Sequence, residues 1–219
     1  MVGDLGDDMK RLYVIGDSIS RHYDPYLAQY LKGTMIYARK TAEEAAALAL
    51  DPPQGANGGD SAMALAFLEA KLASGGVDAD LLLLNCGLWD MRTDPQTGKK
   101  QIALDQYRAN LYALVALIQG AGPELVWVRT TPVDERVHNT REGGFHRFAA
   151  DCDAYNEAAD EVMRAQSVPI LDLHTFTCAL GDDLYVDHVH FHEHVREKQG
   201  AFIAGWLTAW CELGGSRRL

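Results

Sequence analysis

The four consecutive leucines Leu81-Leu82-Leu83-Leu84 constrain this chain more than any other stretch. A short apolar run with polar flanks leaves no face for water, so it fits a strand covered on both sides by helices, as in a parallel sheet. Leu125-Val126-Trp127-Val128 has the same character. Candidate strands are therefore Leu12–Ile15, Met35–Ala38, Leu81–Asn85, Leu125–Arg129 and Pro169–Leu173. Apolar residues recur at helical spacing from Ile19 to Leu31 and in Ser61–Ala73, Asp105–Gln119, Phe148–Ala165 and Glu193–Leu213. Ser61 and Asp105 read as N-caps, Gly120 and Gly122 as stops, and Thr41 with Glu44 as a capping box. Alternation of this kind predicts an α/β fold: a three-layer α/β/α sandwich around a five-stranded parallel sheet of the flavodoxin-like type.

At 219 residues and 47% hydrophobic, the chain supports one sizeable core. It shows no linker, repeat or low-complexity tract, so a single domain over 1–219 is expected, with its core at about 11–212 and short tails, Gly214 to Arg218 being a frayed end. A formal charge of −11 argues against nucleic acid and anionic membranes as partners, because both repel an acidic protein. The acidic start Met1–Asp8 lacks the basic and apolar regions of a signal peptide, and no apolar run has transmembrane length, so a cytoplasmic protein is expected. Cys86, Cys152, Cys178 and Cys211 are widely spaced and form no CxxC pair; they read as small thiols rather than disulfides or a zinc site.

In a doubly wound sheet, ligands bind beyond the carboxyl ends of the strands. Four unusual segments fall on that edge. Gly16-Asp17-Ser18 follows strand one, and Ser18 there is either a nucleophile at a helix start or simply the helix cap. Asp187-His188-Val189-His190 places a carboxylate three residues from an imidazole, the spacing needed to orient a general base. Asn57-Gly58-Gly59-Asp60-Ser61 is a glycine-rich turn into a helix, where a backbone N–H can meet a developing oxyanion; it lacks the Gly-Lys-[ST] ending of a phosphate loop. Asn85-Cys86-Gly87-Leu88-Trp89-Asp90 closes the most apolar strand. A rival reading takes His188, His190, His192 and His194 as alternating ligands on an extended face, with Asp187 adding an oxygen to a transition metal. A helix starting near Glu193 would scatter them.

Together the four segments resemble the SGNH hydrolases, or GDSL-type esterases and lipases, over residues 11 to about 210. Gly16-Asp17-Ser18 resembles the first block of that superfamily, Gly59 the glycine of the second, and Asp187 with His190 the final Asp-x-x-His. Thr131-Pro132 and Tyr155-Asn156 add softer likeness. The third block departs: the family has Gly-x-Asn-Asp, whereas Gly87-Leu88-Trp89-Asp90 puts an indole where the asparagine would donate to the oxyanion. An indole N–H donates one hydrogen bond and accepts none. Three options follow: Trp89 donates or else walls the pocket, Asn57 or Asn85 takes the role, or the hole rests on the Ser18 and Gly59 amides alone.

The resemblance implies a serine esterase: Ser18 as nucleophile, His190 as base, Asp187 as its orienter, no metal and no cofactor. The expected substrate is a small-molecule or carbohydrate ester with a short acyl group, an O-acetylated carbohydrate being the family-based choice. Two alternatives remain open, a metal-dependent hydrolase on His188 to His194 and a noncatalytic ligand-binding protein. Arg21, Arg92 and Arg129 follow or end the strands of the ligand edge, where they contact a polar or anionic substrate or pair with Asp24, Asp94 or Asp134. Substrate choice is expected to lie in the loops Gly33–Gly59 and Asp134–Phe145, the second carrying His138 and Arg141 and leading to His146.

Overall fold

The four leucines form a strand buried on both faces, none more than 1% exposed. The structure is a computed structural model that describes residues 9–50, 55–140, 144–187 and 189–214. The acidic start, Arg141, His188 and the tail from residue 215 lie outside the described residues. Five strands, β1 (Arg11–Ile15), β2 (Ile36–Arg39), β3 (Leu81–Leu84), β4 (Glu124–Val128) and β5 (Ile170–Leu171), pair in the order β2-β1-β3-β4-β5. All pairings are parallel, with Leu12 beside Leu81, Leu84 beside Trp127 and Val128 beside Leu171. β2 is an edge strand, which is why Ile36 stays 46% exposed while Trp127 in β4 is fully covered.

Helices α1 (Ser18–Tyr30), α2 (Ala42–Ala47), α3 (Ser61–Ala73), α4 (Leu104–Ala121), α5 (Glu135–His138), α6 (Ala149–Ala165), α7 (Leu173–Cys178) and α8 (Glu193–Glu212) fill the connections. α1 packs on α8, and α4 packs on both α3 and α6. Right-handed crossovers explain the two groups: β1 to β2 moves one way along the sheet, and β3 to β4 to β5 moves the other. The direction reverses between β1 and β3, and the loops after those two strands part there. The result is the α/β/α sandwich that the alternation predicts. Among the described residues, no helix is long and apolar enough to cross a membrane.

Several helix ends differ from expectation. Asp60, not Ser61, caps α3 by accepting from Met63 N at 2.9 Å. That leaves the Ser61 N–H for Asp90, and the Ser61 hydroxyl accepts from Asn110. Asp105 lies inside the first turn of α4, where its charge suits the helix dipole; the cap is Ala103, which has no side chain to offer. Gly120 is inside α4, and Gly122 ends it in the left-handed conformation. Thr41 does cap α2, through Glu44 N.

The close contact of α8 with α1 is set by Gly200. A methyl there would stand 2.8 Å from Tyr26 Cβ and 2.9 Å from Leu27 N. Only a bare backbone lets the two helices approach this closely.

Candidate active site

The turn after β1 carries Ser18 at the first position of α1. Its neighbour Asp17 is buried and acts as the cap, accepting from Ile19 N at 2.9 Å. Burial pushes the Asp17 carboxyl above its usual range, against the pull of the Ile19 amide. Because Asp17 does the capping, the Ser18 hydroxyl is released for other work. The Ser18 N–H, at the head of the helix, has no acceptor within it.

His190 and Asp187 come from the loop between α7 and α8. An antiparallel bridge of Tyr185 with Phe191 closes this loop, and Val186 N donates to His190 O at 2.8 Å. The turn is therefore narrow enough for Asp187 to serve both backbone and ring. Asp187 Oδ1 accepts from Val189 N at 2.9 Å and His190 N at 2.8 Å, while Oδ2 lies 2.7 Å from His190 Nδ1. His190 Nε2 stands 2.9 Å from Ser18 Oγ. A carboxylate at Nδ1 selects the tautomer with the proton there and leaves Nε2 as an acceptor for the hydroxyl. Burial would raise the Asp187 carboxyl, but those two amides and the imidazole outweigh it and hold it well below the ordinary range. The structure thus brings together three residues up to 172 positions apart, in the order that moves a proton from a hydroxyl.

The glycine turn reaches Ser18 through backbone contacts. Gly58 N donates to Gly16 O at 2.8 Å, and a methyl on Gly58 would sit 3.0 Å from that oxygen. Gly59 adopts φ +71°, in the left-handed region that favours glycine. In the resting structure its N–H is occupied, donating to Asn57 Oδ1 at 2.8 Å. Asn57 therefore turns its oxygen, not its NH2, to the turn. Lys40 pins the same loop from the end of β2: its buried ammonium donates to the carbonyls of Gly55 and Asn57, the latter at 2.8 Å. Burial pushes that ammonium down to about 8.

The other two donor candidates are differently placed. The Asn85 NH2 is committed to Val128 O at 2.8 Å and Thr130 Oγ1 at 3.3 Å, tying the ends of β3 and β4, so it is not aimed at a substrate. Trp89 is half-buried, and the guanidinium carbon of Arg92 lies 3.5 Å from its ring centre. Asp90 accepts from Ser61 N with both oxygens, at 3.0 and 3.1 Å, and burial pushes its carboxyl up to about 7 against those bonds. Tyr155 and Asn156 are structural neighbours of the same edge: Asn156 takes Thr130 N at 2.8 Å and gives to Thr130 O at 2.9 Å, fixing the loop after β4.

The arginine pairs differ from expectation. Asp24 is held by Arg39 rather than Arg21, and Arg129 meets Asp172 and Asp160 rather than Asp134. Of the described histidines in the alternating run, His190 is engaged by Asp187 and Ser18, and α8 begins at Glu193, which takes His194 into a helical turn where its ring stacks on that of His192. Among the described residues, no group of three His, Cys, Asp or Glu is arranged to hold a metal, and His188 lies outside them. Sequence reasoning missed His22, whose ring centre is 4.6 Å from that of His190. The signal was present: His22 is four residues after Ser18 and so shares its face of α1. It also missed Arg147, which is buried and donates through Nε to Leu88 O at 2.6 Å. No local pattern announces that contact, because it joins two loops 59 residues apart.

Residues 14–195 match the model of the GDSL-like lipase/acylhydrolase family. The chain belongs to that family. Membership places this GDSL-like chain among the carboxylic ester hydrolases. Its fold is similar to that of a lipase/acylhydrolase from Enterococcus faecalis, with TM-score 0.65 and 16% identity, over 92% of this chain and 96% of that one. It is also similar to the acetyl xylan esterase AlAXEase, with TM-score 0.68 and 14% identity over 90% and 99%. A third is the psychrotrophic esterase EstA from Pseudoalteromonas sp., with TM-score 0.64 and 13% identity over 93% and 99%. At such identities the likeness speaks for the fold. Among curated proteins, no sequence match was found.

Proposed function

We propose that this chain is a single-domain serine esterase that cleaves a short-chain carboxylic ester through an acyl-enzyme on Ser18. The observation that carries the reading is the unbroken line from Ser18 Oγ to His190 Nε2 and from His190 Nδ1 to Asp187 Oδ2, with steps of 2.9 and 2.7 Å. Ser18 Oγ attacks the carbonyl carbon as its proton passes to His190 Nε2. The ester C–O bond then breaks, and the departing alkoxide takes that proton. Water adds to the acyl-enzyme, gives its proton to His190, and the carboxylic acid leaves as the proton returns to Ser18. Asp187 stays ionised and holds the imidazolium in place. No group outside the protein is required for this proton bookkeeping.

The tetrahedral oxyanion is received by the Ser18 and Gly59 amides. Asn57 Oδ1 gives up its hold on Gly59 N–H as the negative charge develops, and Trp89 serves as a wall. An acetyl ester on a carbohydrate is the favoured substrate class; an acetyl xylan esterase among the proteins of similar fold supports it. The test is labelling by a fluorophosphonate, which phosphonylates an activated serine. The native protein should label and Ser18→Ala should not. A folded native protein that stays unlabelled overturns the reading and leaves a ligand-binding protein on this fold.

A further inference from the structure

An open cleft of about 410 Å³ has walls that include Arg92, Asp94, Lys99, Lys100, Gln101 and Phe145. It connects to the glycine turn through Asp60 and, electrostatically, to the Ser18 turn: the charges of Arg92 and of Arg147 both feel Asp17, the residue before Ser18. Gln101 Nε2 donates to Asp60, the residue after Gly59, at 2.6 Å, and Arg92 N donates to Trp89 O at 3.2 Å. In a chain of net charge −11, this corner gathers cations.

Those cations are held in an unusual way. Arg11, Arg39, Arg108, Arg129, Arg136 and Arg164 each meet a carboxylate within 4 Å. Among the described residues Arg21, Arg92, Arg147 and Arg196 meet none, and of these Arg92 and Arg147 are set apart by the aromatic rings around them. Rings hold them instead: the Arg92 guanidinium lies 3.5 Å from the Trp89 ring centre and 4.3 Å from that of Phe145, and Arg147 lies 4.7 Å from Phe145. Arg147 is only 3% exposed, and burial followed by the nearby Arg92 charge pushes its guanidinium down to about 9. Two like charges close together in a partly dry place are costly, and the carboxylates that bear on them, Asp60 and Asp17 for Arg92 and Asp17 for Arg147, act from a distance rather than by contact. Lys100 is spoken for by Asp151, and Asp94 spends its Oδ1 on the amides of Gln96 and Thr97. Lys99, exposed on the rim, forms no ion pair among the described residues. A guanidinium oriented by rings, with its donors unspent, is built to meet a planar oxyanion edge-on.

We propose that Arg92, with Arg147 behind it and Lys99 at the rim, receives an anionic group of the substrate, so that the preferred ester carries a carboxylate next to its scissile half. The inference rests on the esterase reading and narrows its substrate class: a charged ester in place of a neutral one. Trp89, where the family has asparagine, then has a positive role as the platform that carries Arg92.

The test uses matched ester pairs differing only in charge. 4-Acetoxybenzoate against its methyl ester places the carboxylate on the alcohol half; mono-4-nitrophenyl glutarate against its methyl ester places it on the acyl half. The native enzyme should favour the anionic member of one pair, and this preference should fall in 0.5 M salt. Arg92→Gln should reduce the ratio of anionic to neutral kcat/KM about tenfold or more, as loss of a charge-assisted hydrogen bond does. Lys99→Gln, at an exposed position that leaves folding intact, should reduce it about two- to fivefold. An unchanged ratio in both variants for both pairs overturns the proposal. Binding of 4-acetamidobenzoate and of its uncharged carboxamide to Ser18→Ala, followed by NMR, needs no turnover. If esters are cleaved with no charge preference and neither amide binds better, the anion site fails while the esterase reading stands. Arg92-dependent binding of the benzoate by a protein that cleaves no ester separates the opposite case.

Discussion

Replacing Asp187 by Asn isolates the tautomer argument, because the change is isosteric and the geometry around it is tightly defined. Oδ1 of Asp187 accepts two backbone N–H groups at 2.9 and 2.8 Å, and Oδ2 accepts from His190 Nδ1. An asparagine can keep the two amide bonds only by leaving its oxygen at the Oδ1 place. Its NH2 then faces Nδ1, which must become an acceptor, and the ring proton moves to Nε2. Nε2 now donates toward Ser18 Oγ and cannot take its proton. The opposite rotamer turns NH2 against two N–H donors and loses both bonds. That rotamer would keep the productive tautomer but is disfavoured by the two lost bonds, so the first prevails, the base is disabled, and the loss should approach that of removing the base, about 10⁴-fold in kcat or about 5.5 kcal/mol in barrier. Steady-state hydrolysis of 4-nitrophenyl acetate at pH 8 measures it, with circular dichroism to show an unchanged fold. Activity within tenfold of native would refute the reasoning. The same carboxyl also links stability to pH: its depressed folded value adds stability above the unfolded carboxylate range near 4, and that contribution fades as pH falls below it. Asp187→Asn lacks this dependence, so native and variant should converge in denaturation midpoint under acid.

Other substitutions probe how the site is held. Gly200→Ala forces α8 away from α1, the helix carrying Ser18, and should cost about 1–3 kcal/mol in urea unfolding; a stability equal to native contradicts the close packing. Lys40→Met strips two carbonyls of the glycine turn of their donor and should cost about 2 kcal/mol and lower kcat more than it raises KM; an unchanged kcat would show that the turn holds itself. Burial, with Arg196 next, pushes the His22 imidazole down to about 4, whereas the unfolded chain takes up that proton near 6.5. Between those values the unfolded state binds more protons, so stability should fall on acidification, and His22→Gln should flatten this part of the profile. Parallel profiles for the two proteins would count against it.

What the sequence made legible follows from how local each signal is. The sheet was readable because Leu81–Leu84 and Leu125–Val128 carry their burial in four letters each, and α3 was readable along its length, with its cap one residue earlier than expected, at Asp60. The two-residue β5 was overestimated because Asp172 was read as part of an apolar run; it instead ends the strand by capping the short helix α7. The spacing of Asp187 and His190 was readable since one turn spans it. The competitor for the Gly59 amide was not, because an Asx-type contact depends on a side-chain rotamer. The Trp89, Arg92, Phe145 and Arg147 stack was hidden for a different reason: its members reside on separate loops that only the packed sheet brings together. Arg92 was named as a candidate, but its lack of a carboxylate partner is a tertiary fact.

On the proposed esterase reading, in which the Gly59 amide receives the oxyanion, the carboxamide of Asn57 seated on that amide has a consequence for inhibitors. An intact ester presents a weakly basic carbonyl oxygen, a poor rival for a carboxamide oxygen already seated at 2.8 Å. A boronate or phosphonate adduct presents a formal negative charge at the same point and displaces it. The plug therefore works as a discriminator that ground-state mimics fail and tetrahedral mimics pass. For this protein, compounds that merely resemble the substrate should bind poorly out of proportion to their fit, and the affinity gap between the two classes should narrow when Asn57 is cut back to alanine.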